Sequence, residues 1–181
     1  TAQIREKQRE ADRLDREIEN IIRAAIASSN KKAGTTKTAI TASAATFALT
    51  AEEKVLAASF VSNKGKLPWP VEKGYVALGY GTQPSALDRS ISIKSNGVRI
   101  ATEKGAKARA VFNGEVSRIV LIKNANPVVM IRHGNYITAY KNLSKVYVKE
   151  GEKVTTKQAI GEVFSNPSEG ETVLSFNIFK D

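Results

Sequence analysis

The stretch that decides the fold is VMIRHGNYITAYKNLS, which runs from Val129 to Ser144. Two segments rich in β-branched and aromatic residues, at about 127–133 and 136–141, flank the turn-forming pair Gly134-Asn135. This pattern is typical of two antiparallel strands joined by a tight turn. We therefore predict a β-hairpin in the C-terminal half of the chain.

Similar segments continue on both sides of this hairpin. The stretch Pro68-Trp69-Pro70 is predicted to be extended, because each proline disfavours helix at the residue before it. From residue 67 to residue 181 the chain is therefore predicted to form a mainly β domain. Further strands are predicted at about 75–80, 90–94, 98–102, 107–112, 114–122, 145–148, 159–164 and 172–179, with turns at Asn96-Gly97, Asn113-Gly114, Glu150-Gly151 and Glu169-Gly170.

The N-terminal segment 1–27 has the periodicity of a helix instead. Successive apolar residues are seven, three or four positions apart, which is the spacing of the apolar stripe of a coiled coil. Three heptads are too few for a stable coiled coil alone. Because the chain begins with Thr in mid-helix pattern, we expect a piece of a longer protein and the end of a longer coiled coil. The alternative is a single amphipathic helix packed on its own domain. The stripe consists of Ile4, Ala11, Leu14, Ile18, Ile21 and Ala25.

Residues 28–66 are predicted to be a linker that contains a short helix. A cluster of helix-breaking residues occupies 28–36, and a further short helix near 42–49 is left open. Thr50 and Glu53 fit a capping box at the start of a helix over about 51–62. One face of that helix is apolar and needs a partner, which is either the flank of the β domain or a groove on it. That face carries Val55, Leu56, Ser59 and Phe60.

Composition excludes several classes of function. The chain has 181 residues, no Cys and a single His, His133, so cysteine proteases, thiol redox proteins and Cys/His zinc modules are excluded. The net charge of +10 suits an anionic partner, such as a membrane surface or a cell-wall polymer. We do not expect nucleic acid, because the Lys and Arg residues are scattered rather than clustered.

The β domain resembles the lysostaphin-type (LytM) peptidoglycan endopeptidases over residues 68–181. The most specific piece is 129–144, followed by 148–161 with its Gly, Val, Gln and Ile-Gly spacing. Residues 173–178, VLSFNI, lie where that family has a closing His-Leu-His-Phe-Glu-Ile strand. The resemblance implies a LytM-type β-sandwich, similar to a duplicated hybrid motif.

The resemblance also implies which residues occupy the metal site of those enzymes. Their His-x-x-x-Asp pair corresponds to Ser95 and Arg99, and their third zinc ligand corresponds to Ser175. The two remaining catalytic His positions correspond to Asn142 and Val173. Serine is a poor zinc ligand, valine has no donor atom and arginine is a permanent cation. We therefore expect no metal, no other cofactor and no catalytic residue, and we expect His133 to be a strand-end residue rather than a ligand.

A coiled coil, a linker and a degenerate LytM domain, in that order, are similar to the EnvC-type activators of cell-wall amidases. This resemblance implies a periplasmic or envelope location, a membrane division complex bound through the coiled coil, and an N-acetylmuramoyl-L-alanine amidase bound in an autoinhibited groove. The helix over 51–62, or the Ala-rich stretch before it, is the candidate for covering that groove, and permanent packing on the flank is the alternative. We expect the groove to be formed by Ser95, Arg99, Tyr140, Lys141, Asn142, Val173, Ser175, Asn177 and Phe179.

Three other functions remain open. The domain could bind peptidoglycan itself, since its charge suits an anionic polymer. It could be a lysostaphin-type zinc endopeptidase with altered ligands. A lipoyl- or biotinyl-type carrier has the same Gly-x-x-Val and Gln-x-Ile-Gly spacing that occurs at 151–161. Such carriers display a Lys beside a Met, however, and Met130 has no adjacent Lys.

Overall fold

The computed structural model describes residues 2–32, 49–86, 88–121, 123 and 125–180. Two helices, α1 (Ala2–Lys32) and α2 (Ala51–Ser62), precede a mainly β domain. Among the described residues, neither helix is long and apolar enough to cross a membrane. The open question of a short helix at 42–49 falls almost entirely outside the described residues.

The described part of the β domain contains twelve strands. The predicted hairpin is confirmed as β7 and β8, with His133 opposite Tyr136 next to the turn. Two strands were not predicted. The first is β2 (Gly81–Pro84), whose sequence GTQP has low strand propensity and which pairs only with β3. The second is β10 (Lys153–Val154), which is only two residues long and pairs with β6. The strands are β1 (Tyr75–Leu78), β2 (Gly81–Pro84), β3 (Ser92–Ser95), β4 (Val98–Ala101), β5 (Lys107–Arg109), β6 (Gly114–Val120), β7 (Val128–His133), β8 (Tyr136–Lys141), β9 (Leu143–Val146), β10 (Lys153–Val154), β11 (Ala159–Val163) and β12 (Val173–Lys180).

A seven-stranded antiparallel sheet forms the centre of the domain, in the order β1-β4-β12-β8-β7-β6-β10. A three-stranded sheet, β5-β11-β9, and the two-stranded β2-β3 ribbon complete it. Strand β12, the last in the chain, pairs with β4 on one side and β8 on the other. The end of the chain therefore lies in the middle of the large sheet, between two strands that are distant in sequence.

The large sheet is buried on both faces around β7. Side chains on a strand alternate between the two faces, and Val129 and Ile131 belong to the main apolar core. Val128 and Met130 point the other way and belong to a second apolar cluster. A strand that reads as a continuous apolar run is typical of such two-sided burial.

Helix α1 covers the second face. Ile18 is fully buried against that cluster, and Ile21 packs at its edge. The helix ends at Lys32, beyond the predicted end at 27, because Ser and Asn cost a helix only a few tenths of a kcal/mol each. This placement matches the alternative in which the amphipathic helix packs on its own domain. A longer coiled coil stays a prediction.

Helix α2 packs on the β7–β8 hairpin. Its predicted capping box is present: the Thr50 amide donates to Glu53 Oε2 at 2.7 Å, and the Glu53 amide donates to Thr50 Oγ1 at 3.3 Å. Arg132 forms an ion pair with Glu53 at 2.6 Å. Gly134, at φ +67°, lies so close to α2 that an added Cβ would be 2.6 Å from the Cβ of Ala57. This turn therefore needs glycine for both its conformation and its contact.

Candidate functional site

A cleft of about 320 Å³ is lined by residues of helix α1, of the large-sheet strands β4, β12 and β7, and of the β3 strand beside them, together with Lys141 and Asn142 at the end of β8. It is the place where the resemblance puts the metal site. Six of the nine predicted groove residues line it: Ser95, Arg99, Lys141, Asn142, Ser175 and Asn177.

The strand register brings the central residues of the cleft together. Ser175 on β12 is directly opposite Arg99 on β4 and directly opposite Lys141 on β8. Neighbouring strands are about 4.8 Å apart, so the position of the third zinc ligand has a cationic residue on each side. Two positively charged side chains at this distance repel a cation bound between them. The centre of the cleft therefore has a positively charged residue on each side of Ser175.

The turn between β3 and β4 is held by hydrogen bonds within the site. The Ser95 hydroxyl donates to the carbonyl oxygen of Gly97 at 2.8 Å. The side-chain amide of Asn177 donates to the carbonyl oxygen of Asn96 at 3.0 Å. Gly97 lies against β12, where an added Cβ would be 2.3 Å from the carbonyl oxygen of Phe176. Both polar side chains thus stabilise the wall of the cleft.

Asn142, at the position where the resemblance implies a catalytic His, has a structural role. It adopts a left-handed backbone conformation with φ +71°, which Asn tolerates better than most residues. Its Nδ2 donates to the carbonyl oxygen of Val173 at 2.7 Å, and its Oδ1 accepts from Nδ2 of Asn126 at 2.6 Å. The side chain therefore links the end of β8 to the start of β12 and leaves no imidazole-like base.

These residues do not fit a zinc ion. Zinc in proteins takes thiolate, imidazole or carboxylate ligands, and the three positions that the resemblance assigns to the ligands hold Ser95, Arg99 and Ser175. The Ser95 hydroxyl already donates its proton to a backbone carbonyl. Within the ranges that the structure describes, no cluster of three or more His, Asp or Glu residues could hold a metal ion. The donor chemistry of the cleft therefore disagrees with the enzyme class that the fold suggests.

Three predicted groove residues do not line the cleft. Tyr140 is fully buried in the main core, where its hydroxyl accepts from the Val111 amide at 3.0 Å. Burial raises the pKa of Tyr140 to about 12. Phe179 packs at the edge of the cluster under α1, and Val173 contributes its backbone carbonyl instead. The expectation that Tyr140 contacts a partner is corrected, because it points to the opposite face of β8 from Lys141.

His133 is the last residue of β7 and is fully buried. Its Nδ1 is 2.6 Å from the Asn113 carbonyl oxygen, and its Nε2 is 2.9 Å from Thr138 Oγ1. Its ring stacks on Phe60 of α2, with centroids 4.9 Å apart. Burial lowers the pKa of His133 to about 4, so the ring is neutral at pH 7.

The segment that lines the cleft from outside the sheet is α1. Glu10, Leu14 and Ile18 all line it. The expectation that α2 covers the groove is corrected, since none of Val55, Leu56, Ser59 and Phe60 is among the described lining residues. Phe60 is buried in the main core instead, and Val55 is 68% exposed. The physical reason is that the hairpin β7–β8 already occupies the apolar face of α2. Two features of the sequence indicated that α1 is the helix that lies over the cleft. They are the apolar stripe that contains Leu14 and Ile18, and the unbroken apolar run 128–131 on the sheet.

Comparisons with known proteins define the class of this domain. Residues 93–181 match the family model of peptidase family M23. Similar solved structures include Csd3 from Helicobacter pylori, at 23% identity and a TM-score of 0.52, and a zinc-containing peptidase from Vibrio cholerae, at 24% and 0.51. A third is the SpoIIQ–SpoIIIAH pore-forming complex, at 25% identity and a TM-score of 0.54. None of the curated proteins matches the chain.

The likeness to these structures extends over somewhat less than two thirds of the chain. It covers 63% of this chain for Csd3, 62% for the Vibrio cholerae peptidase and 64% for the pore-forming complex. The chain spans 31%, 36% and 84% of those three chains, so it corresponds to about a third of the first two. The chain therefore carries a domain of peptidase family M23, of the lysostaphin (LytM) type.

Proposed function

We propose that this chain is a non-catalytic regulator that binds and activates an N-acetylmuramoyl-L-alanine amidase in the cell envelope, during cell division or cell separation. The observation that carries the proposal is the register of Ser175 between Arg99 and Lys141. In this proposal the chain keeps the cleft of an M23 domain. The positions of the metal ligands hold residues that do not bind a cation or that repel one. A cleft without its catalyst still offers a concave surface for a protein partner.

The chemistry of the cleft suits a protein ligand with acidic groups. Lys94, Arg99 and Lys141 line it, and Glu10 of α1 is the one acidic residue among its described lining residues. Arginine is a frequent anchor at protein interfaces, because its planar guanidinium pairs with a carboxylate through two hydrogen bonds. The amidase is expected to place an acidic segment between Arg99 and Lys141.

Helix α1 supplies the autoinhibition in this proposal. Leu14 and Ile18 lie where a partner would enter, so α1 and the amidase compete for the same surface. A pull on the coiled coil by a membrane division complex would detach α1 and shift the population toward the open cleft. The proposed location is periplasmic, since both the substrate of the amidase and the division complex are reached from there.

Direct binding of a purified amidase tests the proposal. Isothermal titration of the amidase into this chain lacking residues 1–32 is expected to give saturable binding, because the cleft is then uncovered. The same titration with Lys141→Glu added is expected to weaken binding at least about tenfold, by the loss of a charged contact. Absence of binding in the uncovered chain would remove the amidase from the account.

Peptidoglycan itself is the second candidate ligand. The same three cations, Lys94, Arg99 and Lys141, suit the carboxylates of peptide stems, and the whole chain carries a net charge of +10. Cosedimentation with purified sacculi in the absence of any amidase distinguishes this function. Sedimentation that Arg99→Glu abolishes would favour peptidoglycan as the ligand of the cleft.

A further inference from the structure

A second cleft of about 380 Å³ lies at the other end of β4, around the turn at 102–107. No described residue lines both this cleft and the first one. Its lining is strongly basic, with two acidic residues, Glu72 and Glu103, against five cations. The cations are Lys73, Lys104, Lys107, Arg109 and Lys157.

The cations are carried by backbone segments that hydrogen bonds hold in place. The Thr102 hydroxyl donates to the Lys73 carbonyl oxygen at 2.6 Å, which joins the segment before β1 to the end of β4. Arg109 Nε donates to the Trp69 carbonyl oxygen at 3.0 Å. The Lys157 amide donates to the Ala110 carbonyl oxygen at 2.7 Å. These hydrogen bonds hold the backbone segments that carry the cations at one end of the domain.

The two carboxylates among the described lining residues offset only part of this positive charge. None of the five cations belongs to a salt bridge between described residues. Five positive and two negative residues leave a local charge of +3 at one end of the domain. Such a concentration of like charge costs stability unless an anion is bound. An anionic group bound in this cleft would relieve that repulsion.

Exposed aromatic residues lie beside the same cleft. Trp69, the single Trp of the chain, is 45% exposed, and its carbonyl oxygen bonds Arg109. Tyr75 is 68% exposed and pairs with Ala101, the neighbour of Thr102. Trp and Tyr beside Lys and Arg are typical of surfaces that settle at the boundary between lipid headgroups and hydrocarbon. A soluble polyanion would use the charges but would offer no apolar phase to these rings.

We infer that this end of the domain docks on a membrane surface rich in anionic phospholipid, with headgroup phosphates in the second cleft and Trp69 and Tyr75 at the interface. Each Lys or Arg near such a surface is attracted by its negative potential. The inference goes beyond the proposed function, because it uses a different surface and needs no amidase. Docking there would leave the first cleft, at the other end of β4, free for a partner.

Vesicle binding by the full chain tests this inference, with the fluorescence of Trp69 as the readout. Vesicles of phosphatidylcholine with about 30% phosphatidylglycerol are expected to bind the chain and shift its emission to the blue, whereas pure phosphatidylcholine is not. Cosedimentation gives the affinity. Equal binding to both vesicles, or binding without a shift, would overturn the inference.

Matched variants separate the cleft from general charge. Lys104→Glu with Lys107→Glu and, as a control, Arg118→Glu with Lys149→Glu each lower the net charge from +10 to +6. The first pair lines the second cleft, whereas Arg118 and Lys149 are exposed residues that line neither cleft. The cleft variant is expected to bind vesicles at least about tenfold more weakly, and the control to change by about twofold or less. Equal losses, with circular dichroism showing both folded, would overturn the inference.

A Trp69 shift with inorganic polyphosphate but none with vesicles would assign the cleft to a soluble polyanion instead.

Discussion

Arg99 on β4 lies directly opposite Ser175 on β12 in the large antiparallel sheet. The resemblance to lysostaphin-type enzymes places zinc ligands at both positions. A permanent cation and a hydroxyl cannot replace an aspartate and a histidine at a metal. In the proposed function, this pair is the reason why a domain with the M23 fold does not hold the metal ion of the peptidases.

Charge reversal at Arg99 is expected to abolish stimulation of the amidase while the fold stays intact. Arg99 is exposed and lines the cleft, so Arg99→Glu removes the anchor for an acidic partner without disturbing the core. The measurement is amidase rate on peptidoglycan, with Arg118→Glu as the control. Normal stimulation by Arg99→Glu would exclude Arg99 from the interface.

Release of α1 is expected to increase amidase binding. Ile18 is 1% exposed against Val128 and Met130, so Ile18→Asp should detach the helix from the sheet. Apparent affinity for the amidase is expected to rise several-fold, because less of the chain is then in the closed state. Ala24→Asp adds the same charge at an exposed position of α1 and should leave affinity unchanged. Equal affinities of the Ile18→Asp chain and the unaltered chain would show that α1 does not compete.

Helix α2 is expected to behave as part of the β domain. Phe60 is buried among Phe112, His133 and Tyr136, so Phe60→Ala should lower the free energy of unfolding by about 3–5 kcal/mol. Val55→Ala, on the exposed face, should cost less than about 0.5 kcal/mol. Urea unfolding measures both. If Phe60→Ala cost as little as Val55→Ala, α2 would be only loosely attached.

The buried imidazole predicts a loss of stability in acid. The pKa of His133 is lowered from 6.5 to about 4, so between these values the unfolded chain binds a proton that the folded chain does not. Stability therefore falls as the pH falls through this range, by about 2 kcal/mol from pH 7 to pH 5. Urea unfolding at several pH values should show this slope, reduced in His133→Gln. An unchanged slope in that variant would assign the acid sensitivity to the carboxylates.

The sequence predicts the parts of the fold that depend on local signals. The β7–β8 hairpin follows from the pair Gly134-Asn135 between two strand-like segments, and α2 follows from the capping box of Thr50 and Glu53. Six of the proposed groove residues line one cleft because the motif that the chain shares with lysostaphin-type enzymes fixes their strands and register. Local rules sufficed wherever neighbours in sequence are also neighbours in space.

The choice between the two helices depends on tertiary contacts. Both α1 and α2 have an apolar stripe, and the sequence does not say which face of the domain each stripe contacts. The position of Tyr140, in contrast, was predictable from the sequence, because strand alternation alone places it on the opposite face from Lys141. Applying that rule to β8 would have moved Tyr140 from the cleft to the core.

Release of dye from labelled sacculi tests the central claim most directly. Three mixtures are compared: this chain alone, the amidase alone, and the two together, with added zinc in each. The account predicts no release by the chain alone and several-fold more release by the mixture than by the amidase, a gain that Arg99→Glu removes. Release by the chain alone, or a mixture no faster than the amidase, would contradict it.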